Sequence, residues 1–198
     1  ASPHESIELL NGSQVNLHPE MLLIADAHRP LALAGIMGGL DSGVTQGTTD
    51  IFLESAFFSP NAISGKSFQL GFSSDSAYRF ERGVDFAATR DALERATYLI
   101  QTVCGGQAGP VTEVKHKLPQ RSVVNVRINR IKRILGIDIN QQQVNDYFKR
   151  LGFEFSVKAD TFNVKPPSYR FDLAIEEDFI EELARIYGYD HIPVHFPH

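Results

Sequence analysis

Four acidic side chains near the end of the sequence have the type and spacing of ligands for a hard cation. Asp178, Glu181 and Glu182 are three and four residues apart, which places their carboxylates on one face of a helix, and Asp172 precedes that helix. Oxygen ligands without a neighbouring His or Cys suit magnesium or calcium. Acidic residues in the first turns of a helix are also favoured by the helix dipole, so a solvated acidic face is the alternative.

A single carboxylate, Glu54, lies in the most apolar segment of the chain, residues 51–58. This segment predicts a strand, and the alternation of side chains along a strand places Glu54 on the same face as the other even-numbered, apolar residues. An unpaired carboxylate in an apolar layer is costly or takes up a proton, so Glu54 needs a partner. That partner is either Arg79 or Arg82 in a structural ion pair, or a ligand whose polar group Glu54 anchors in a pocket.

Two loops could border such a pocket. Residues 35–43 contain four glycines, which let the backbone approach a neighbour closely or adopt positive φ. A phosphate-cradling loop would end in Gly-Lys-Ser/Thr and lead into a helix, and this segment does neither, so a tight structural turn is favoured. Residues 71–85 are rich in hydroxyls and charges without a helix or strand period, which predicts a loop at a site.

Basic residues at the start of the second part suggest nucleic-acid binding. Arg127, Arg130 and Arg133 share a helical face, and a turn at Gly136 joins that helix to the next. However, residues 119–198 carry 11 Lys/Arg against 11 Asp/Glu, so they lack a net positive charge to attract phosphate. A solvated basic face is favoured over a nucleic-acid-binding helix pair at 127–151. The basic and acidic blocks predict two different surfaces.

The helices and strands predicted from the sequence indicate an α+β chain. It is divided into two modules, residues 1–118 and 119–198. In the first we expect strands at 21–26 and 31–36, the strand at 51–58, a helix over about 86–103, and a terminal strand with a linker in 107–120. In the second we expect a strand at 123–126, helices over 127–135, 140–151 and 174–187, and a hairpin of 153–157 with 161–165.

Composition excludes several classes of protein. The chain has 198 residues, a net charge of −5 and 42% hydrophobic residues, which is enough for a core and argues against disorder. One cysteine, Cys104, excludes an internal disulfide framework or a cysteine-based zinc cluster. The chain has neither an apolar run of about 18–20 residues nor a signal-peptide pattern at its start, so we expect a cytosolic protein. Without a recognisable Ser/His/Asp grouping, water is the expected nucleophile in any hydrolysis.

Five motifs, in order and over nearly the whole chain, resemble the beta-subunit family of bacterial phenylalanyl-tRNA synthetases. They are Gly35-Ile36-Met37-Gly38-Gly39 with Ser42-Gly43, Glu54-Ser55-Ala56-Phe57-Phe58-Ser59-Pro60, Ser73-Ser74-Asp75-Ser76 running into Arg79-Phe80-Glu81-Arg82-Gly83-Val84-Asp85, Pro167-Ser168-Tyr169-Arg170-Phe171-Asp172, and Glu181-Glu182-Leu183-Ala184-Arg185-Ile186-Tyr187-Gly188-Tyr189.

The resemblance implies that residues 1–118 are the later part of the B-three/B-four editing module and that residues 119–198 are the B-five module, which has a DNA-binding-like fold. The chain is then a piece of a beta subunit that assembles with alpha subunits, two of each, and binds tRNA(Phe) in the cytoplasm. The whole enzyme uses ATP, but aminoacylation takes place on the alpha subunit, so ATP is not expected to bind here.

The resemblance also implies roles for single residues. The family's editing pocket hydrolyses tyrosine wrongly attached to tRNA(Phe), and Glu54 matches the glutamate that recognises the tyrosine hydroxyl. Gly38, Ser74 and Ser76 match further pocket positions, although relatives commonly have Thr and Ala where this chain has the two serines. The family's His and Arg pocket residues match positions upstream of Ala1.

A second site follows from the same resemblance. The family's magnesium ligands, shared with the alpha subunit, match Asp172, Asp178, Glu181 and Glu182. Magnesium is therefore the expected cofactor of the intact enzyme.

Overall fold

A computed structural model of the chain describes residues 5–194, which form two compact units. The first unit extends to Val114 and the second begins at Lys115. Each unit combines small antiparallel sheets with helices, which confirms the α+β prediction. Within residues 5–194, no helix is both long enough and apolar enough to span a membrane.

Two small sheets open the first unit. Strands β1 (Ser6–Glu8) and β2 (Gln14–Asn16) pair with each other, and β3 (Leu23–Ala25), β4 (Pro30–Leu33) and β5 (Met37–Gly38) form an antiparallel sheet in that order. The strands predicted at 21–26 and 31–36 are thus present in shorter form. The glycine-rich segment makes the tight turn between β4 and β5, as expected. A Cβ atom at Gly39 would lie only 2.6 Å from the Leu31 carbonyl oxygen, so the chain needs glycine there.

The described residues of the first unit also form four helices: α1 (Pro60–Ile63), α2 (Lys66–Gln69), α3 (Asp75–Phe80) and α4 (Thr89–Cys104). The last of these confirms the helix expected over about 86–103, whereas α3 shows that the prediction of a loop throughout residues 71–85 is wrong in part. The core of the unit joins apolar residues of the strands to α1 and α3, and Leu9, Leu33 and Ile63 are almost completely buried in it. This packing fixes the β4–β5 turn against the short helices.

Two strand predictions are wrong. Residues 51–58 and 107–120 have no helical or strand structure, although the first of these segments is strongly apolar. A strand needs a neighbour to take its backbone hydrogen bonds, and no strand of the described chain pairs with either segment. The period-two alternation therefore does not apply at residues 51–58, and Phe52 is 96% exposed.

The second unit follows its sequence pattern closely. Its elements are β6 (Val124–Arg127), α5 (Ile128–Leu135), α6 (Gln141–Arg150), β7 (Glu154–Lys158), β8 (Thr161–Lys165), α7 (Glu176–Tyr187) and a short 3₁₀ turn (Tyr189–His191). The sheet order is β6-β8-β7, with β7 and β8 forming the predicted hairpin. The predicted capping box opens α6, because the backbone N–H groups of Asn140 and Gln143 each donate to the other residue's side chain at 2.9 Å.

Phenylalanine rings dominate the core of the second unit. Phe148 on α6 is fully buried, and its ring centroid lies 5.5–6.2 Å from those of four other phenylalanines on β7, β8, α7 and the preceding turn: Phe153, Phe155, Phe162 and Phe179. This one side chain of α6 therefore joins that helix to the sheet and to α7. Phe179 lies next to Asp178 on α7, so the same packing fixes the helix that carries the acidic residues.

Candidate functional site

A cavity of about 670 Å³ in the first unit brings together the four residues assigned to a pocket by resemblance. Gly38 lies on β5, Glu54 in the irregular segment 51–58, and Ser74 and Ser76 at the start of α3, and all four line the cavity. Its walls are otherwise mainly apolar, with Ile36, Phe58 and Phe80 among them. Residues up to 38 positions apart in sequence thus border one space of the size typical of ligand pockets.

The two serines hold the glycine-rich turn in place. The Ser74 hydroxyl donates to the carbonyl oxygen of Ile36 at 2.6 Å and accepts from the N–H of Ala77 at 3.0 Å, so it also caps α3. The Ser76 hydroxyl donates to the carbonyl oxygen of Gly35 at 3.0 Å. Because both hydroxyl groups donate their protons to backbone carbonyl oxygens, these serines shape the wall of the cavity and do not supply a free nucleophile.

We expect Ser74→Ala to destabilise the chain more than Ser76→Ala. Loss of the Ser74 hydroxyl removes a helix cap and leaves the Ile36 carbonyl without its donor, a cost of about 1–2 kcal/mol. Ser76→Ala removes one hydrogen bond, a cost of about 0.5–1.5 kcal/mol. Urea unfolding of both variants beside the wild type measures the difference. A Ser74→Ala variant as stable as the wild type would show that the Ser74 hydroxyl does not stabilise the turn and the start of α3.

Glu54 lies at the cavity, and no partner for its carboxylate is found among the described residues. The residue is exposed rather than buried in an apolar layer, because segment 51–58 is not a strand. Within residues 5–194 its carboxylate makes no hydrogen bond or ion pair. The expected alternative partners are engaged elsewhere, Arg79 with Asp75 and Arg82 with Glu81, so the ion-pair alternative is wrong.

The surroundings of Glu54 are nevertheless partly dehydrated. Neighbouring protein atoms raise the pKa of the Glu54 carboxyl above its ordinary value by desolvation. A hydrogen-bond donor that enters the cavity would stabilise a carboxylate in such a position. The arrangement therefore suits a ligand that carries a hydroxyl group.

Sequence reasoning missed two further features of the cavity. Leu10 lines it, its backbone N–H donates to the carbonyl oxygen of Gly38 at 3.0 Å, and its side chain lies where a Cβ atom of Gly38 would project. Ser55 donates to the carbonyl oxygen of Thr89 at 2.8 Å, which ties segment 51–58 to the first residue of α4. Neither residue is part of a helix-like or strand-like periodicity or of a charge cluster, so the sequence pattern did not indicate that either residue lies at the cavity.

The four carboxylates of the predicted magnesium site belong to the second unit, where most of their oxygens already have partners. Asp172 forms a bidentate ion pair with Arg170, and Glu182 pairs with both Arg170 and Arg185. Asp178 accepts from the N–H groups of Ala174 and Ile175 with one oxygen, which caps α7. Glu181 is exposed.

These contacts also shift the pKa values of Asp172 and Glu182. The hydrogen bond from Arg170 lowers the pKa of Asp172 below its ordinary value. Burial alone would raise the pKa of Glu182, but the hydrogen bonds from Arg170 and Arg185 outweigh it, and the net shift is downward. In the part of the chain that the structure describes, no group of three or more His, Cys, Asp or Glu side chains could hold a metal ion. The donor set as arranged thus does not fit magnesium, and the magnesium site stays a prediction.

Two residues of the basic face pair with the acidic first turn of α7, so the basic and acidic residues are not fully separated into two surfaces as expected. The guanidinium of Arg127 forms a bidentate pair with Glu176, with a shortest distance of 2.6 Å, and Arg130 pairs with Glu177 at 2.7 Å. The first turn of α7 thereby neutralises much of the positive face of α5. Arg133 stays exposed. Nucleic-acid binding by the 127–151 helix pair stays a prediction, with less free positive charge than the sequence suggests.

Comparison with known proteins identifies the class of both units. Residues 1–105 match the B3/4 domain family, and residues 124–189 match the tRNA synthetase B5 domain family. The chain therefore belongs to the family of proteins that carry a B3/4 domain, here followed by a B5 domain. This confirms the assignment made from the five motifs.

Individual relatives agree with that assignment. The chain is 60% identical to the phenylalanine--tRNA ligase beta subunit of Nitrosospira multiformis, with 100% of this chain and 25% of the relative covered. It is 53% and 51% identical to the proteins of the same name from Chromobacterium violaceum and Dechloromonas aromatica, over 98% of this chain and 25% and 24% of the relatives. The chain thus spans about a quarter of the length of these relatives.

Proposed function

We propose that the first unit supplies part of an editing site that hydrolyses tyrosine from mischarged tRNA(Phe), as a segment of a phenylalanine--tRNA ligase beta subunit. The observation that carries this proposal is the cavity at which Glu54 lies partly dehydrated and without a partner among residues 5–194. A cavity of about 670 Å³ has room for an aromatic aminoacyl group. The whole activity belongs to a longer protein, since this chain spans a quarter of its relatives.

Selectivity follows from the chemistry of Glu54. The phenol of a tyrosyl group can donate a hydrogen bond to the carboxylate and satisfy it. A phenylalanyl group would displace water from the same carboxylate and leave it unpaired. Sites built to hydrogen-bond a hydroxyl reject the analogue that lacks it by roughly 10⁴–10⁵-fold.

Water is the nucleophile that fits this cavity. Three serines line it, and each donates its hydroxyl proton to a backbone carbonyl: Ser55, Ser74 and Ser76. An acyl-enzyme route through one of them would need a base to take that proton, and the lining residues in the described chain include no histidine. The serines and Gly38 therefore act by holding the wall against which the aminoacyl group lies.

The remaining assignments rest on the same family membership. We propose that the partners are the alpha subunit, in an assembly of two alpha and two beta chains, and tRNA(Phe). We further propose that the enzyme works in the cytoplasm and consumes ATP at the alpha subunit, outside these residues. The second unit has a structural role in this proposal, and no step of the editing reaction passes through its carboxylates.

Deacylation by the complete ligase tests the proposal. Tyrosyl-tRNA(Phe) and phenylalanyl-tRNA(Phe) are each incubated with an enzyme that carries this sequence in its beta subunit, and release of the free amino acid is followed. We expect the tyrosyl ester to be hydrolysed faster by roughly 10⁴-fold, because only its side chain satisfies Glu54. Equal rates for the two esters would contradict the proposal.

A further inference from the structure

One arginine lies between two carboxylates of the acidic cluster in the second unit. The Arg170 guanidinium donates to both oxygens of Asp172, at 2.9 Å from Nε to Oδ1 and 2.6 Å from Nη2 to Oδ2, and its Nη2 also reaches Oε1 of Glu182 at 2.8 Å. Arg185 donates to the other oxygen of Glu182. Every oxygen of Asp172 and Glu182 therefore accepts at least one charged hydrogen bond from within the chain.

The backbone on both sides holds this pairing. The N–H of Arg170 donates to the carbonyl of Pro167 at 3.2 Å. Arg121 donates to the carbonyl oxygens of Arg170 and Leu173, so the loop that carries Asp172 is fixed at both ends. Glu182 is only 9% exposed on α7. A buried carboxylate that loses its counter-charge is strongly destabilising, so Glu182 depends on the two arginines.

Charge balance disfavours a further cation at the same oxygens. Asp172 and Glu182 carry two negative charges, and Arg170 and Arg185 carry two positive ones within hydrogen-bond distance. A divalent cation added to this neutral group would be repelled by two guanidiniums at close range. Magnesium also demands near-octahedral geometry and gives up its waters reluctantly, so it competes poorly with arginines already in place.

We propose that Arg170 is the resident cation of this cluster, so that its ion pairs and divalent-cation binding at Asp172 and Glu182 are mutually exclusive. The chain then holds its acidic residues without metal. A divalent cation enters only when the Arg170 guanidinium leaves. Asp178 caps α7 with one oxygen and Glu181 lies exposed, so neither of them pairs with Arg170 in the described chain.

Thermal unfolding with and without magnesium tests the competition on the 198-residue chain. We expect the melting temperature of the wild type to be the same in EDTA and in millimolar magnesium. Arg170→Met removes the charge, so its melting temperature should fall by about 4–8 °C. Magnesium should then recover part of that loss, because a ligand that binds the folded state stabilises it. Arg133→Met removes an exposed arginine from the same unit. Its melting temperature should equal that of the wild type, both in EDTA and in magnesium.

Three outcomes would overturn the proposal. A rise in the wild-type melting temperature with magnesium would mean that the cation binds beside Arg170. An Arg170→Met variant that magnesium does not stabilise would mean that the arginine keeps no cation out. If that variant does not fold, Arg170→Gln replaces it, since it removes the same charge and keeps an amide N–H that can donate to Glu182. Calorimetric titration of the wild type with manganese provides an independent check, and measurable binding that Asp172→Asn abolishes would also contradict the proposal.

Discussion

Replacing Glu54 with alanine in the complete ligase is expected to lower kcat/KM for tyrosyl-tRNA(Phe) deacylation by about 10–150-fold. The reason is the loss of a hydrogen bond to a charged acceptor, which contributes about 1.5–3 kcal/mol. Phenylalanyl-tRNA(Phe) should at the same time become a better substrate, because its ring no longer desolvates an unpaired carboxylate. Discrimination between the two esters therefore falls, because the rate for the tyrosyl ester decreases while the rate for the phenylalanyl ester increases. Single-turnover deacylation of each ester measures the change.

Two further variants separate recognition of the phenol from a general effect on folding. Glu54→Gln keeps the size of the side chain and an acceptor oxygen but loses the charge, so its rate should lie between those of the wild type and Glu54→Ala. Glu81→Ala removes a glutamate that pairs locally with Arg82 and does not line the cavity, and it should leave both rates unchanged. A Glu54→Ala enzyme that still hydrolyses the tyrosyl ester at the wild-type rate would exclude Glu54 from recognition.

Local chemistry explains where sequence reasoning succeeded. The start of α6, the end of α5 at Gly136 and the β7–β8 hairpin all depend on residues within a few positions of one another. Asn140 and Gln143 cap a helix whatever the rest of the chain does, and Gly136 has a φ of 66°, which favours glycine. The second unit, in which such signals are dense, was therefore predicted almost element by element.

Contacts between residues distant in sequence explain where prediction from sequence failed. Residues 51–58 have the composition of a strand, but a strand also needs a paired neighbour, which composition cannot supply. The spacing of Asp178, Glu181 and Glu182 correctly placed them on α7, yet it could not show that Glu182 pairs with Arg170 and Arg185. Arg127 and Glu176 are 49 residues apart, so their pairing depends on the tertiary fold.

The candidate site in the first unit illustrates the same limit. Gly38, Glu54, Ser74 and Ser76 share no period or charge pattern, and only the resemblance to a family placed them together. The structure adds a physical reason for the grouping, because the Ser74 and Ser76 hydroxyls bind the carbonyls of the turn that leads into Gly38. The serines thus belong to the site through the backbone that they hold.

Replacing Phe148 with alanine is expected to lower the free energy of unfolding of the second unit by about 3–5 kcal/mol. The ring is fully buried, and its contacts with four other phenylalanines would be lost together. Small domains have a total stability of about 5–15 kcal/mol, so the loss is a large fraction of it. Urea unfolding, followed by circular dichroism, measures the change.

Tyr169 provides the matched control for that measurement, since it is an aromatic residue of the same unit that is 53% exposed. Tyr169→Ala should change the free energy of unfolding by less than about 1 kcal/mol, because little apolar surface returns to water. The two variants together separate burial from aromatic character as the source of stability. If Phe148→Ala destabilised the unit no more than Tyr169→Ala, the sheet and its helices would have to be held by contacts other than this aromatic cluster.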